Sequence, residues 1–163
     1  MEGIVLLHSK RRSATFAMVA AAAVAAGAIT VGTSSAQDRT SRSTVHVIEH
    51  AITDTEIPSG GGKDVKGNVL VFNNPVFNEA QTKQAGHDEG FCTRISPDQH
   101  IWECLWTTFL EGGQITVQGP YYDNRNSVLS ITGGTGDYRD SRGQMLLLAR
   151  DGGTKYDFVF QLS

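Results

Sequence analysis

Glu49 is the first residue whose type and surroundings suggest chemistry, because it stands between two histidines in the run TVHVIEHA. A carboxyl group held in a pocket can transfer protons or face a developing positive charge. The same pattern is also typical of a strand with one exposed side. His46 and His50, with no third ligand in view, do not predict a metal site.

Cys92 and Cys104 are the two cysteines of the chain, and they flank the hairpin signal SPDQ. Centring the hairpin on Asp98 places them opposite each other, which in an oxidising compartment favours a disulfide bond. A one-residue bulge in the turn would break this register, so both alternatives stay open. Trp102 and Trp106 share the parity of Cys104 and would line an interior cavity or form part of a packed core.

The glycine run ITGGTG, residues 131–136, is the strongest candidate for a phosphate loop. Such a loop must open a helix, because the helix N-terminus supplies the anion site. The residues that follow, TGDYRDSRGQMLLLA, return to a strand pattern instead. We therefore interpret these glycines as tight turns and bends between strands.

The elements that must position these residues are almost all short strands. The clearest alternation is YDFVFQL at the end of the chain, where aromatic and aliphatic residues face one side. Strands are predicted at residues 44–53, 68–72, 91–95, 101–110, 115–117, 128–132, 145–149 and 156–162. About eight strands with glycine turns and no helical period indicate a barrel or sandwich. A barrel of eight strands leaves no exposed edge and can enclose one small ligand.

The first 36 residues resemble a signal peptide. Lys10, Arg11 and Arg12 precede an Ala-rich apolar stretch at residues 16–29, and small residues end at Ala36. The alternative is a retained anchor, but the stretch is short beside the roughly 20 apolar residues that a spanning helix needs. We expect export, by either the general or the twin-arginine route, and no stable membrane insertion afterwards.

The remaining chain is predicted to be one domain, with residues 37–66 as leader and first strand and residues 67–163 as the rest of the same barrel. Removing residues 1–36 reduces the 14 basic and 17 acidic residues to 11 and 16, a net charge of −5. No basic stripe is present, so nucleic acid is not an expected partner.

Three segments carry a family resemblance. The run ITVQGPYYDNRNSVLSITGGTGDYRDSRGQM resembles plant allene oxide cyclases, in which a QGPY element precedes an AITGG turn and a Y-G-Q element. VFNNPVF and AGHDEGFCTRI resemble further segments of that family in the right order. The GGTGDYRDSRG element also resembles dirigent proteins, which share the barrel and are secreted. The resemblance implies a single eight-stranded antiparallel up-and-down β-barrel with an apolar cavity, often a homotrimer, that works without a cofactor.

The same resemblance assigns roles to individual residues. The pocket asparagine, cysteine and tyrosine of the cyclases match Asn74, Cys92 and Tyr121. The asparagine would hold a water molecule or donate a hydrogen bond to the oxygen of an epoxide substrate. The Glu-x-Asn pair of the cyclases' first strand is not preserved intact, and Glu49 is the carboxylate nearest to it. By analogy with dirigent proteins, Asp137 and Arg142 are candidates for acid–base roles, or else form a solvated charge cluster.

These observations predict an isomerase-like or cyclase-like barrel that steers an apolar reactive molecule, such as a fatty-acid epoxide or a phenolic or polyketide-like compound, to one product. Two alternatives remain open. One is a binding barrel that carries an apolar ligand, and the other is a dirigent-like guide of radical coupling that needs an external oxidase. Convergence of Glu49, Asn74 and Tyr121 inside the cavity would favour catalysis, whereas a solvent-facing Glu49 would favour binding.

Overall fold

A computed structural model describes residues 43–163, so the predicted signal peptide and most of the predicted leader segment before the first strand lie outside the described residues. The described chain consists of nine strands joined by turns and loops. Their bounds are β1 Ser43–His50, β2 Thr55–Ile57, β3 Val69–Asn78, β4 Gln84–Ser96, β5 Ile101–Leu110, β6 Gly113–Tyr122, β7 Ser127–Gly136, β8 Gly143–Arg150 and β9 Lys155–Leu162. Within residues 43–163 no helix is long and apolar enough to cross a membrane.

Eight strands form the closed antiparallel barrel that the sequence predicted. From β3 to β9 each strand pairs with the next, β9 pairs with β1, and β1 pairs with β3 to close the barrel. The short β2 continues along β3 beyond the end of β1. This topology places alternate connections at two opposite ends, which we name here. The open end carries residues 51–68, 97–100, 123–126 and 151–154, and the filled end carries residues 79–83, 111–112 and 137–142.

The barrel interior follows the period of two that a strand imposes on its side chains. The predicted alternation of β9 is confirmed, since Phe158, Phe160 and Leu162 are buried in the core. Towards the filled end the interior is packed with apolar side chains, namely Val76, Ile115, Val117, Ile131, Met145 and Phe160. Apolar packing at this end contributes to the hydrophobic free energy that stabilises the fold.

β3 is longer than the sequence indicated, because it continues through Pro75. On the side of β3 that faces β1, pairing covers only Val76 to Asn78, and β2 pairs only with Val69 to Val71. Pro75 therefore lies in a stretch that has no strand partner on that side. A proline, which lacks an N–H, is tolerated in a strand only at such a position.

The hairpin between β4 and β5 has the predicted register at its cysteines. Cys92 lies opposite Cys104, and a register shift occurs nearer the turn, between Arg94 and Ser96. The bulge that would have separated the cysteines is thus confined to the end of the hairpin, and the two residues form a disulfide bond.

The glycine run lies entirely within β7 rather than in a turn. Thr116 pairs with Gly133, whereas the next residue, Val117, pairs with Ile131. This shift is a β-bulge, which bends a strand and increases its twist. The predicted bend is confirmed, while the turn itself follows at residues 137–142.

Candidate active site

A cavity opens from the interior of the barrel towards the open end. Its inner volume is about 40 Å³, which holds a few water molecules, and its free space including the solvent-filled mouth is about 360 Å³. The lining residues are Glu49, Asp54, Leu70, Phe72, Cys92, Cys104, Trp106, Tyr121, Leu147, Tyr156 and Phe158. Of the predicted set, Glu49 and Tyr121 line this cavity, whereas Asn74 lies behind its wall and contacts Glu49 there.

Glu49 is a buried carboxyl group, with 6% of its surface exposed. Burial raises its pKa well above the ordinary value, and the nearby charge of Asp88 raises it further. Asp88 is itself fully buried, and burial raises its pKa to about 7. The two carboxyl groups interact, so that the negative charge of one favours the protonated form of the other. The cavity wall therefore holds a transferable proton at neutral pH.

Asn74 positions this acid rather than reaching into the cavity. Its Nδ2 donates to Glu49 Oε1 and to Asp54 Oδ1, both at 2.7 Å. Its Oδ1 accepts from the backbone N–H groups of Ile52 and Thr53 at 3.0 and 2.9 Å. Because both N–H groups of the amide are used within the protein, the expected donation to a substrate oxygen has no free donor.

The position of Asn74 explains how Asp54 enters the site. Between the end of β1 and the start of β2 the chain makes no ladder to β3, and the Asn74 side chain provides the acceptor that a backbone carbonyl would otherwise supply. An interrupted ladder of this kind re-aims side chains. Here it places the Asp54 carboxylate at the mouth of the cavity.

Tyr121 and Tyr156 form a hydroxyl pair in the cavity wall, and Tyr156 lies directly across the β1–β9 ladder from Glu49. Their oxygens are 2.8 Å apart, and their rings meet edge to face. Burial raises the pKa of both phenols, so each stays protonated. Two hydroxyl groups that share one hydrogen bond keep one O–H free, and that bond polarises the free O–H for donation. The pair can thus stabilise negative charge on a ligand oxygen.

The remaining wall is aromatic and is built around Trp106. Its indole meets Phe72 at 6.0 Å and Phe158 at 5.6 Å between ring centroids. Gly90 lies opposite Trp106, and a Cβ at Gly90 would fall 2.3 Å from the tryptophan Cβ, so this position accepts only glycine. Among the described residues Trp106 Nε1 has no hydrogen-bond partner.

Cys92 lines the cavity, as the resemblance implied, but as part of a disulfide bond. The disulfide to Cys104 leaves no free thiol in residues 43–163. Cys92 is therefore a wall residue and cannot act as a nucleophile or acid in this form.

Three residues predicted to bind ligand lie elsewhere. Trp102 is buried at the open end, where its Nε1 donates to Asp123 and the Arg94 guanidinium stacks on its ring at 4.1 Å. Asp137 and Arg142 are exposed in the turn at the filled end, far along the barrel from the cavity. These three residues do not line the cavity, and their predicted roles in ligand binding stay predictions.

Sequence reasoning missed three polar members of the site. Asp88 shares strand parity with Cys92, and Tyr156 shares it with Phe158, so the alternation carried a signal for both. Asp54 follows β1 in an irregular connection, and no pattern marked it. In the described part of the chain, no group of three His, Cys, Asp or Glu side chains could hold a metal ion.

With the site described, the comparisons with known proteins can be stated. Residues 39–163 match the sequence model of the family described as "Dirigent-like protein", so the chain belongs to the dirigent-like protein family. The predicted membership of the allene oxide cyclase and dirigent superfamily is confirmed on its dirigent side.

Several solved structures share the fold. A pyocyanin demethylase is 24% identical with a TM-score of 0.63, covering 74% of this chain and 100% of its own. A pterocarpan synthase dirigent protein is 21% identical with a TM-score of 0.59, covering 75% and 96%. An exo-specific intermolecular Diels-Alderase is 14% identical with a TM-score of 0.61, covering 75% and 98%. At these identities the likeness shows the barrel fold and leaves the reaction open.

Proposed function

We propose that the protein is a cofactor-free, isomerase-like barrel that binds an apolar reactive molecule and directs its ring closure to one stereoisomer. The observation that carries this proposal is the buried Glu49 carboxyl group, held protonated by burial and by Asp88 at the wall of an aromatic cavity. A binding barrel has no need of such a group, because burying ionisable side chains costs stability.

The proposed step transfers the Glu49 proton to an oxygen of the substrate, such as an epoxide oxygen or the carbonyl oxygen of a phenol-derived quinone methide. The epoxide C–O bond breaks, or the carbonyl becomes a hydroxyl, and a delocalised cation forms. A double bond or hydroxyl of the same molecule then closes the ring. The proton returns to the carboxyl pair formed by Glu49 and Asp88, so product and substrate have the same atoms and no cofactor takes part.

Stereochemical control would come from the walls. Tyr121 and Tyr156 can donate their free O–H to the reacting oxygen, while Phe72, Trp106 and Phe158 hold the apolar part in one conformation and exclude water. The pterocarpan synthase and Diels-Alderase neighbours are named for reactions that build rings, which supports a ring-closing role for this barrel.

The test is a turnover assay of the protein with two freshly generated probes, an unsaturated allene oxide and a quinone methide that carries an internal hydroxyl. Chiral chromatography would measure yield and enantiomeric excess. We expect one enantiomer in excess for at least one probe, and Glu49→Gln should lower the catalysed rate by about 100-fold or more. Glu103→Gln, an exposed position on the outer face of β5, is the matched control and should have no effect.

Racemic product at the uncatalysed rate with both probes would contradict catalysis and favour the apolar-ligand-binding barrel. Excess of one enantiomer only when an oxidase generates radicals would favour the dirigent-like guide.

Two further expectations remain proposals. The disulfide in the cavity wall supports export, because such bonds persist in oxidising compartments. Phe91 and Leu105 lie opposite each other on the outer face, with 46% and 38% of their surfaces exposed, which supports a homotrimer held by apolar contacts. Sedimentation of the parent protein and of Leu105→Lys would test the assembly.

A further inference from the structure

The cavity carries acidic groups without a basic one. Its titratable lining residues are Glu49, Asp54, Tyr121 and Tyr156. Within residues 43–163, no Lys, Arg or His lines the cavity. Burial is the main reason that the pKa of Tyr156 is raised, and the negative charges of Asp54 and Asp123 add to it. A positively charged group that enters the cavity is therefore attracted by a negative potential.

The nearest buried cation does not offset that potential. Arg94 is paired with Asp64 and with Asp123, and its guanidinium stacks on Trp102 at the open end. The Arg94 guanidinium therefore already interacts with two carboxylates and with one aromatic ring face. Its charge is thus compensated beside the cavity rather than inside it.

The aromatic walls add a second, independent attraction for positive charge. Phe72, Trp106 and Phe158 line the cavity, and the edge-to-face pair of Tyr121 and Tyr156 lines it as well. The faces of aromatic rings attract cations, most strongly when water is excluded. Apolar walls alone would select flat molecules, whereas aromatic walls with a carboxylate at the mouth select flat molecules that carry positive charge.

We propose that the cavity recognises planar delocalised cations, either as the bound substrate or as the species that protonation creates, with Asp54 as the residue that selects the charge. This inference rests on the proposed function for its site and names the substrate class. Asp54 suits the role because it lies at the solvent-facing mouth and is held in place by Asn74 Nδ2. The cavity and its solvent-filled mouth together offer about 360 Å³ of free space, which is within the range of small-molecule sites.

The test compares two probes of similar shape, 1-methylquinolinium and 4-methylquinoline, at a pH at which the second is uncharged. Binding is followed by NMR through the indole N–H cross-peaks, of which the two tryptophans give two. Trp102→Phe assigns them. The Trp106 peak reports the cavity, and the Trp102 peak is the reference outside it. We expect the cation to bind about tenfold more tightly and to shift the Trp106 peak.

Two matched variants locate the effect. Asp54→Asn should remove most of the preference by weakening the cation about tenfold while leaving the neutral probe unchanged. Asp98→Asn removes the same charge from the exposed β4–β5 turn and should change neither affinity. Equal affinities, tighter binding of the neutral probe, absence of binding, or a preference that survives Asp54→Asn would each overturn the inference.

This test and the turnover assay fail separately. Stereoselective ring closure by a protein without cation preference would overturn the inference and leave the proposed function standing. Cation-selective binding without turnover would overturn the proposed function and leave the inference standing.

Discussion

The two ends of the barrel are built from the same strands but differ in packing and polarity. At the filled end, inward positions carry Val76, Ile115, Met145 and Phe160, all with no measurable exposure. At the open end, the carboxyl groups of Glu49 and Asp54 and the phenols of Tyr121 and Tyr156 line an unfilled cavity.

The difference shows where the fold tolerates unfavourable burial. Asp88 and Asn74 are fully buried polar residues, and Asp88 Oδ2 and Trp106 Nε1 lack hydrogen-bond partners in the described chain. Burying such groups costs free energy, so they occur where they serve function. The filled end offsets this cost with apolar burial, and the two ends should therefore respond differently to mutation.

Truncating one aromatic residue at each end should give the largest contrast. Phe160→Ala removes a fully buried ring from the filled end and should lower the free energy of unfolding by about 3–5 kcal/mol. Phe72→Ala removes a half-buried ring that already borders the cavity, so the loss should be about 1–2 kcal/mol. Urea unfolding followed by circular dichroism measures both, and equal losses would show that the open end is as tightly packed as the filled end.

The acidic pair should make the open end sensitive to pH. The folded protein holds protons on Glu49 and Asp88 at pH values at which the unfolded chain has lost them, so the free energy of unfolding falls as pH rises. For Asp88 the window runs from its ordinary pKa of 3.8 to about 7, which corresponds to about 4 kcal/mol. Asp88→Asn should therefore gain stability relative to the parent across this window.

The control for this prediction is Asp98→Asn, which removes an exposed carboxylate from a turn and should track the parent protein at every pH. Unfolding curves of the three proteins at several pH values would separate the cases. A constant difference between parent and Asp88→Asn would mean that Asp88 is ionised throughout.

Reducing the disulfide bond should also lower the free energy of unfolding, by less than the pH effect of Asp88. Cys92 and Cys104 are separated by 12 residues, and cross-linking a loop of that length stabilises by about 3 kcal/mol in the chain-entropy model. The double variant Cys92→Ala/Cys104→Ala should lose this amount and become insensitive to reductant. Denaturant unfolding with and without dithiothreitol measures it, and a parent that is equally stable when reduced would contradict the prediction.

The barrel was predictable from the sequence because each strand repeats the same signal. Alternation and glycine punctuation occur in almost every element, so single errors such as the early end assigned to β3 do not change the topology. The register of Cys92 against Cys104 was predictable for the same reason, since counting outward from a tight turn is local.

The site was only partly predictable because its chemistry depends on contacts between distant segments. Asn74 was identified by resemblance, yet its role follows from Ile52, Thr53 and Asp54, which reach it across an interrupted ladder. Asp137 was assigned to the site because it follows a motif, although its turn lies at the other end. Parity along a strand tells which face a residue occupies and says nothing about how far along the barrel it lies.

The two tryptophans offer the smallest and most specific test of the contrast. Trp102→Phe removes the hydrogen bond from Nε1 to Asp123 at 3.3 Å as well as part of a ring, whereas Trp106→Phe removes a similar part of a ring and no hydrogen bond. The first variant should therefore lose about 1 kcal/mol more than the second in urea unfolding. Ligand binding should show the opposite order, because Trp106 lines the cavity and Trp102 does not. If Trp106→Phe were instead the more damaging change to stability and left probe binding intact, the boundary between a packed half and a functional half would not lie between these two indoles.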